Sequence, residues 1–302
     1  MNASPNPRVV VTGASGFVGG HLVASLQAAG FETIATDVIA ASGRALDLRD
    51  RAAVVAAFTA WRPVVVVHGG AISGAMLARD DPTLMFDVNM NGTLSVLEAM
   101  RSAGVGRLVH LSSNAVYRDR PHREPVGEES SLGSNELYGA SKLAAEAVVS
   151  AYAATAGIDA WMLRISSIYG PGRRTPHLIS TLIDAARTGA VPHVTDSTSN
   201  LRQFVHISDV VAAVMAAVRR PAQACTAVNI TGGEYLPEQT IAEIVRRHRP
   251  ELRFAVVPDK GEHGDGRKGP LDIGRAAALL GWRPRVLIER GLADLLSDAN
   301  AG

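Results

Sequence analysis

The run Val9-Val10-Val11-Thr12-Gly13-Ala14-Ser15-Gly16-Phe17-Val18-Gly19 decides how this sequence is read. Three valines and a threonine make a short strand of the kind buried on both faces. Glycine then recurs at every third position, and a helix-like stretch follows as far as Ala29, stopped by Gly30. Strand, glycine turn and helix in that order cradle a pyrophosphate. The turn needs backbone freedom, the phosphate needs main-chain N–H groups close by, and the helix start favours its charge. The spacing predicts a dinucleotide site at Gly13, Ser15, Gly16, Phe17, Val18 and Gly19. Asp37 ends the second predicted strand, Thr33 to Asp37. An acidic side chain there accepts ribose hydroxyls and repels a 2′-phosphate, so NAD is expected rather than NADP. Asp47 and Leu48 follow a third predicted strand, where they either contact the adenine or, for Asp47, cap the next helix.

Beyond this run the chain alternates strand and helix. Helices are expected at Asp50–Trp61, Asp81–Ala103 and Glu136–Ala156, and strands at Val64–Val67, Arg107–Ser112 and Ala160–Ile165. Three helices end in Ala-Gly, at Ala29-Gly30, Ala103-Gly104 and Ala156-Gly157, where glycine suits the left-handed residue after a helix. The pattern is that of an α/β, Rossmann-like, doubly wound parallel sheet. After about Tyr169 the alternation loosens. Residues 1–170 are read as the NAD-binding domain and 171–302 as a smaller C-terminal substrate lobe, with returns to the main sheet at about 201–232.

Composition bounds the rest. The chain has 302 residues, 30 Lys+Arg against 29 Asp+Glu, and 47% hydrophobic residues. That balance excludes dominant disorder and a nucleic-acid binder driven by a basic surface. No apolar run reaches the ~18 residues that span a bilayer. Met1 to Pro7 carries no signal-peptide pattern, so a cytoplasmic location is expected. The single cysteine, Cys225, makes no internal disulfide or metal pattern and reads as a small core residue. No metal site is expected. Only Lys142, Lys260 and Lys268 among the 30 cations are lysines.

One of those three falls in Tyr138-Gly139-Ala140-Ser141-Lys142, at the start of a predicted helix. Positions i and i+4 share a helix face, so phenol and ammonium can point into one cleft. A nearby cation stabilises phenolate and lowers the phenol's pKa. The tyrosine then exchanges a proton with a substrate hydroxyl while hydride moves to or from nicotinamide. Ser113, just past a strand, is placed to hold the substrate oxygen.

The chain resembles the extended short-chain dehydrogenase/reductases, the NAD-dependent epimerase/dehydratase superfamily. The matching segments run in order: TGASGFVG at Thr12–Gly19, Asp37, VVH at Val66–His68, NMNGT at Asn89–Thr93 and SSNAVY at Ser112–Tyr117. They continue with YGASK at Tyr138–Lys142, LR…YGPG at Leu163–Gly172, RQFVHISD at Arg202–Asp209 and LGWRP at Leu280–Pro284. The resemblance implies Ser113, Tyr138 and Lys142 as catalytic residues. It also implies that Tyr138 and Lys142 contact the cofactor, and a homodimer built on the helices Asp81–Ala103 and Glu136–Ala156.

The substrate is less fully written. Ser113 is followed by Asn114-Ala115 rather than the Asp-Glu pair of the family's dehydratases, so 4,6-dehydration is not expected. Ser167 stands where nucleotide-sugar epimerases usually carry asparagine, whereas Arg202 matches a position that often contacts a diphosphate. The segments Gly69–Ser73 and Ser112–Asn114 are similar to those of uronate dehydrogenases. That likeness implies Ser73, Asn114 and Ser167 as ligands of hydroxyls or a carboxylate, with Arg173 or Arg174 as counter-charge. His68 and His206 are expected to be packed residues at strand ends. Three functions are open: an NAD-dependent dehydrogenase of a sugar or sugar acid, a nucleotide-sugar 4-epimerase that retains its NAD, and a non-catalytic NAD-sensing module. The short lobe beyond Tyr169 favours the first.

Overall fold

The protein, seen here as a computed structural model, is described over residues 6–39, 43–73, 80–119, 124–195, 201–258 and 269–298. Its elements run β1 (Arg8–Thr12), α1 (Phe17–Ala28), β2 (Glu32–Asp37), β3 (Arg44–Ala45), α2 (Arg51–Trp61), β4 (Val65–His68), α3 (Pro82–Phe86), α4 (Gly92–Ala103), β5 (Arg107–Ser113), α5 (Leu137–Ala156), β6 (Asp159–Ile165) and β7 (Ser167–Tyr169). They continue α6 (Leu178–Thr188), β8 (His193–Thr195), β9 (Leu201–Arg202), β10 (Phe204–His206), α7 (Ile207–Arg219), β11 (Cys225–Ile230), β12 (Leu236–Pro237), α8 (Glu238–His248), β13 (Ala255–Val257), α9 (Gly274–Leu280) and α10 (Ile288–Asp298). Residues 259–268, with Lys260 and Lys268, lie outside the described residues.

Seven strands form one parallel sheet in the order β11-β6-β5-β4-β1-β2-β3. Chain order reverses between β1 and β4, and a doubly wound sheet places its ligand crevice at the carboxyl ends of such a pair. The valines of β1 and β4 are buried on both faces, as a parallel strand between helical layers requires. One layer packs α1, α7 and α9 on the sheet through Leu22, Leu26, Val210, Val214 and Ala276. The other packs α2, α4 and α5 through Val54, Phe58, Val96, Met100 and Val149. A third core, Ile179, Leu182, Ile241, Val245, Leu292 and Leu296 among others, joins α6, α8 and α10. The two late motifs meet in a clamp: the Asp209 carboxylate accepts the main-chain N–H groups of Arg285 and Val286, and its carbonyl accepts Trp282 Nε1–H. Gly104 and Gly157 take the left-handed conformation at the ends of α4 and α5, φ +68° and +66°.

The expected single helix Asp81–Ala103 is interrupted. Asp81 does cap it, accepting Leu84 N–H at 3.0 Å, but α3 and α4 are separated by a wide π-turn at Asp87–Asn91. Side-chain competition explains the break: Asn89 bonds both main-chain groups of Ile72, and Thr93 Oγ1 donates to the Asn89 carbonyl at 2.6 Å. Hydrophobic periodicity does not register a one-turn change of this kind. Cys225 is also less enclosed than expected, half-buried beside Met162 and Ser150.

Under the carboxyl ends of β5 and β6 lies a buried polar layer. Arg164 forks onto Glu146, Nε and Nη2 donating at 3.0 and 2.8 Å, both side chains almost wholly buried. Ser112 Oγ donates to the same carboxylate at 2.5 Å. Arg164 Nη1 donates to Tyr117 Oη and to the Glu128 carbonyl, and Tyr117 Oη donates to Asn229 Oδ1 at 2.6 Å. Removing one member of a buried pair strands the other charge away from water. Arg164→Met therefore lowers unfolding free energy by about 3–5 kcal/mol in urea titration. A loss below about 1 kcal/mol, the worth of a surface pair, contradicts a buried pair here.

Candidate active site

The glycine turn leaves β1 at the switch point. Gly13 has φ +72°, and a Cβ there would lie 2.6 Å from the Gly69 carbonyl carbon. A Cβ on Gly19 would lie 2.1 Å from the Gly13 carbonyl oxygen. Glycine is thus required for main-chain packing at both ends of the turn. Asp37 faces the same turn, its carboxylate accepting Ser15 N–H at 3.0 Å. Arg44 lies over the Trp61 ring, 5.6 Å from its centroid. Asp47 is held by Arg49, and the cap of α2 is Asp50, accepting Ala53 N–H at 3.0 Å. Leu48 is buried, against Gly70 and Gly92.

Across the crevice, the end of β5 and the first turns of α5 bring Ser113, Tyr138 and Lys142 together. The Tyr138 hydroxyl faces the Ser113 side chain, which favours its ionised form. Ser113 Oγ accepts Ala115 N–H at 3.2 Å. Lys142 is 3% exposed and donates from Nζ to the Leu111 carbonyl at 2.7 Å. Burial lowers its pKa to about 8, against the upward pull of Glu146 one turn further on.

One expectation is corrected here. Burial raises the Tyr138 pKa, and the groups that oppose the rise are Ser113 and Arg173. Lys142 Nζ is instead bonded to the Leu111 carbonyl of β5. Arg173 is half-buried, donating to the Ile168 carbonyl and to Thr175 Oγ1 (3.1 Å), and burial lowers its pKa to about 10. Arg174, its neighbour, is exposed. Asn114 is buried at the foot of Ser113, while Ser73 and Ser167 are half-buried. Arg202 forms an ion pair with Glu238 at 2.6 Å, and Glu238 also accepts Thr195 N–H and Oγ1–H.

His206 is a packed residue, accepting Ser208 N–H at the start of α7. So is His68, bracketed by Thr12 and Thr93 and 5.3 Å from the His110 ring. Asn89 and Glu146 escaped the sequence reading. Glu146 repeats the four-residue spacing from Tyr138 through Lys142, so its alignment on that face was available in the sequence. A surface cavity of about 530 Å³ lined by Glu128, Glu129, Asp272 and Arg275 contains none of the predicted site residues. No group of His, Cys, Asp and Glu suited to a metal occurs among the described residues. No helix among them is long and apolar enough to cross a membrane.

The buried ammonium gives a pH-dependent prediction. With Lys142 at about 8 in the folded chain and 10.5 as its ordinary value, the unfolded chain binds the extra proton between those pH values. This group therefore makes stability rise with pH across that window. Lys142→Met removes the effect, so its thermal midpoint relative to wild type is higher at pH 7 than at pH 10. A pH-independent difference contradicts the burial of a charged lysine.

Comparison with known proteins agrees with this geometry. Residues 9–231 match the NAD dependent epimerase/dehydratase family. A UDP-glucose 4-epimerase of Mycolicibacterium smegmatis is 30% identical over 95% of this chain and 96% of its own length. Among solved structures, MoeE5 in complex with UDP-glucuronic acid and NAD superposes with a TM-score of 0.86 at 29% identity, over 97% of this chain and 99% of that one. A UDP-glucose 4-epimerase of Thermus thermophilus, in complex with NAD, gives 0.84 at 28% identity, over 98% and 99%. Proteins of nearly the same length therefore handle nucleotide sugars, which removes the argument drawn from a short C-terminal lobe. With its glycine turn and Tyr-Lys helix in place, the chain belongs to the NAD dependent epimerase/dehydratase family.

Proposed function

We propose that the protein uses NAD to oxidise and re-reduce a ring hydroxyl of a nucleotide-linked sugar, acting as a 4-epimerase. The observation that carries this is Tyr138 in the first turn of α5, facing Ser113 at the end of β5, with the buried Lys142 one helical turn on. The full-length similarity to UDP-glucose 4-epimerase supports the sugar class. The fit to a dinucleotide is argued from the turn itself, where a side chain on Gly13 or Gly19 would run into main chain. Gly13, Ser15, Gly16, Phe17, Val18 and Gly19 would hold the pyrophosphate by main-chain N–H groups, and Asp37 the adenosine ribose. Asp47 and Leu48 would border the adenine, and Tyr138 and Lys142 the nicotinamide ribose. NAD, when bound, supplies the hydride acceptor and donor.

The chain's own residues manage the proton and the orientation. Ser113 donates to or accepts from the reacting oxygen, and Tyr138, in its ionised form, takes the substrate proton at Oη on oxidation and returns it on reduction. Lys142 adds positive charge beneath the site. Arg173, a half-buried cation whose side-chain partners are neutral oxygens, suits an anionic group on the substrate. This accords with MoeE5, which binds UDP-glucuronic acid. Ser73, Asn114 and Ser167 would meet sugar hydroxyls, Arg174 the mouth of the pocket, and Arg202 the diphosphate, oriented by Glu238. The lobe built on α6, α8 and α10 would cover the sugar. A homodimer would form on the outer faces of α4 and α5, which are tied together by the Tyr152–Glu98 hydrogen bond.

A second reading, a dehydrogenase of free sugar acids, is favoured by Arg173 together with Ser167. Purified protein incubated with UDP-glucuronate or UDP-glucose separates the two. Inversion at C4 without net NADH is expected, whereas NADH formed from a free uronate supports the second reading. Neither product contradicts both. Tyr138→Phe lowers turnover by roughly 10²–10⁴-fold, as loss of a general acid–base group does. Gly19→Ala abolishes NAD binding, read by quenching of protein fluorescence on titration with NAD.

A further inference from the structure

The ring of His68 is part of a hydrogen-bond chain whose every hydrogen can be placed. Thr93 has one hydroxyl hydrogen, and it goes to the Asn89 carbonyl at 2.6 Å, which can only accept. Thr93 Oγ1 therefore accepts from His68 Nε2, 2.9 Å away, and Nε2 carries the proton. Neutral His68 leaves Nδ1 bare, so Thr12 Oγ1 donates to it at 2.7 Å. Thr12 Oγ1 in turn accepts Gly70 N–H at 3.2 Å. On the other side, Asn89 Oδ1 accepts Ile72 N–H at 2.7 Å, which fixes the amide's orientation. Asn89 Nδ2 then donates to the Ile72 carbonyl and to Ser141 Oγ, both at 2.9 Å. Ser141 Oγ passes its hydrogen to the Tyr138 carbonyl at 2.7 Å.

The chain thus starts on Thr12, the last residue of β1 before the glycine turn, and ends on the main chain of Tyr138. It crosses β4, the π-turn and the first turn of α5. With His68 neutral, each link is satisfied in one direction only. We propose that His68 is a positioning residue: as a neutral imidazole protonated on Nε2, it transmits the position of the glycine turn to Tyr138 through Thr93, Asn89 and Ser141. The inference rests on Tyr138 as the proton-transfer group of the proposed function.

The surroundings keep the ring neutral. It is 2% exposed, and the titratable groups facing it are Lys142 from α5 and His110 from β5. Burial and the Lys142 charge lower its pKa to about 3, and His110 is likewise held well below its ordinary value. A proton on Nδ1 would deprive the Thr12 hydroxyl of its acceptor.

The test uses Thr93→Val, which keeps the shape and removes the hydroxyl, and Thr93→Ser, which restores it. Misplacing a reacting group by an ångström costs about 10²-fold, so Thr93→Val is expected to lower kcat by about 10- to 100-fold. KM for the sugar and Kd for NAD are expected to stay within about two-fold of wild type, with kcat regained in Thr93→Ser. Wild-type kcat in Thr93→Val overturns the proposal, as does a loss shared equally by kcat and NAD affinity. Two further readouts need no substrate, so they stand if the proposed function fails. ¹⁵N NMR of the His68 imidazole should show Nε2–H and bare Nδ1 from about pH 5 to 8. Amide exchange at 138–142 should accelerate in Thr93→Val and not in Thr93→Ser. A His68 that titrates or carries Nδ1–H, or unchanged exchange, overturns it. Should Thr93→Val not fold, the wild-type tautomer decides.

Discussion

The site depends on taking one ammonium out of water. Lys142 lies under the crevice, bonded to a strand carbonyl at 2.7 Å, with a carboxylate, Glu146, one turn away on the same helix. A buried cation is tolerated when opposite charge and hydrogen bonds answer it. Glu146 is itself fixed by Arg164 and Ser112, and Arg164 by Tyr117 and the Glu128 carbonyl. The polar layer thus runs from α5 to β11 at the edge of the sheet, where Tyr117 meets Asn229. The edge of the sheet at β11 and the candidate site are stabilised by the same contacts.

A second consequence concerns the charge near Tyr138. The family pattern places lysine four residues after tyrosine, and helical geometry puts both on one face. Yet the guanidinium that opposes the rise in the phenol's pKa is that of Arg173, from the loop after β7. Lys142 is bonded to the Leu111 carbonyl, and Arg173 to the Ile168 carbonyl and Thr175. A negative charge brought to Arg173 would alter the field at the phenol.

Much of this was legible in the sequence because it is local. The glycine turn announces itself through residues three apart, and Gly104 and Gly157 through the left-handed conformation that ends a helix. Tyr138 and Lys142 are four apart on one helix. The parallel sheet follows from strands that are apolar throughout. What stayed hidden is carried by distant pairs. Arg202 reads as a free cation until Glu238 folds back to meet it. The π-turn at Asp87–Asn91, which apolar spacing does not announce, carries Asn89 bonded to Ile72 and Ser141. Only the fold states which of two adjacent arginines is half-buried, Arg173, and which is exposed, Arg174.

The most direct measurement is a crystal structure with NAD and UDP-glucuronate bound. The sugar O4 is predicted within about 3.2 Å of Tyr138 Oη, in reach of Ser113 Oγ, with the carboxylate at Arg173. A sugar whose reacting hydroxyl lies away from Tyr138, or a nucleotide seated outside the lobe of α6, α8 and α10, would contradict it.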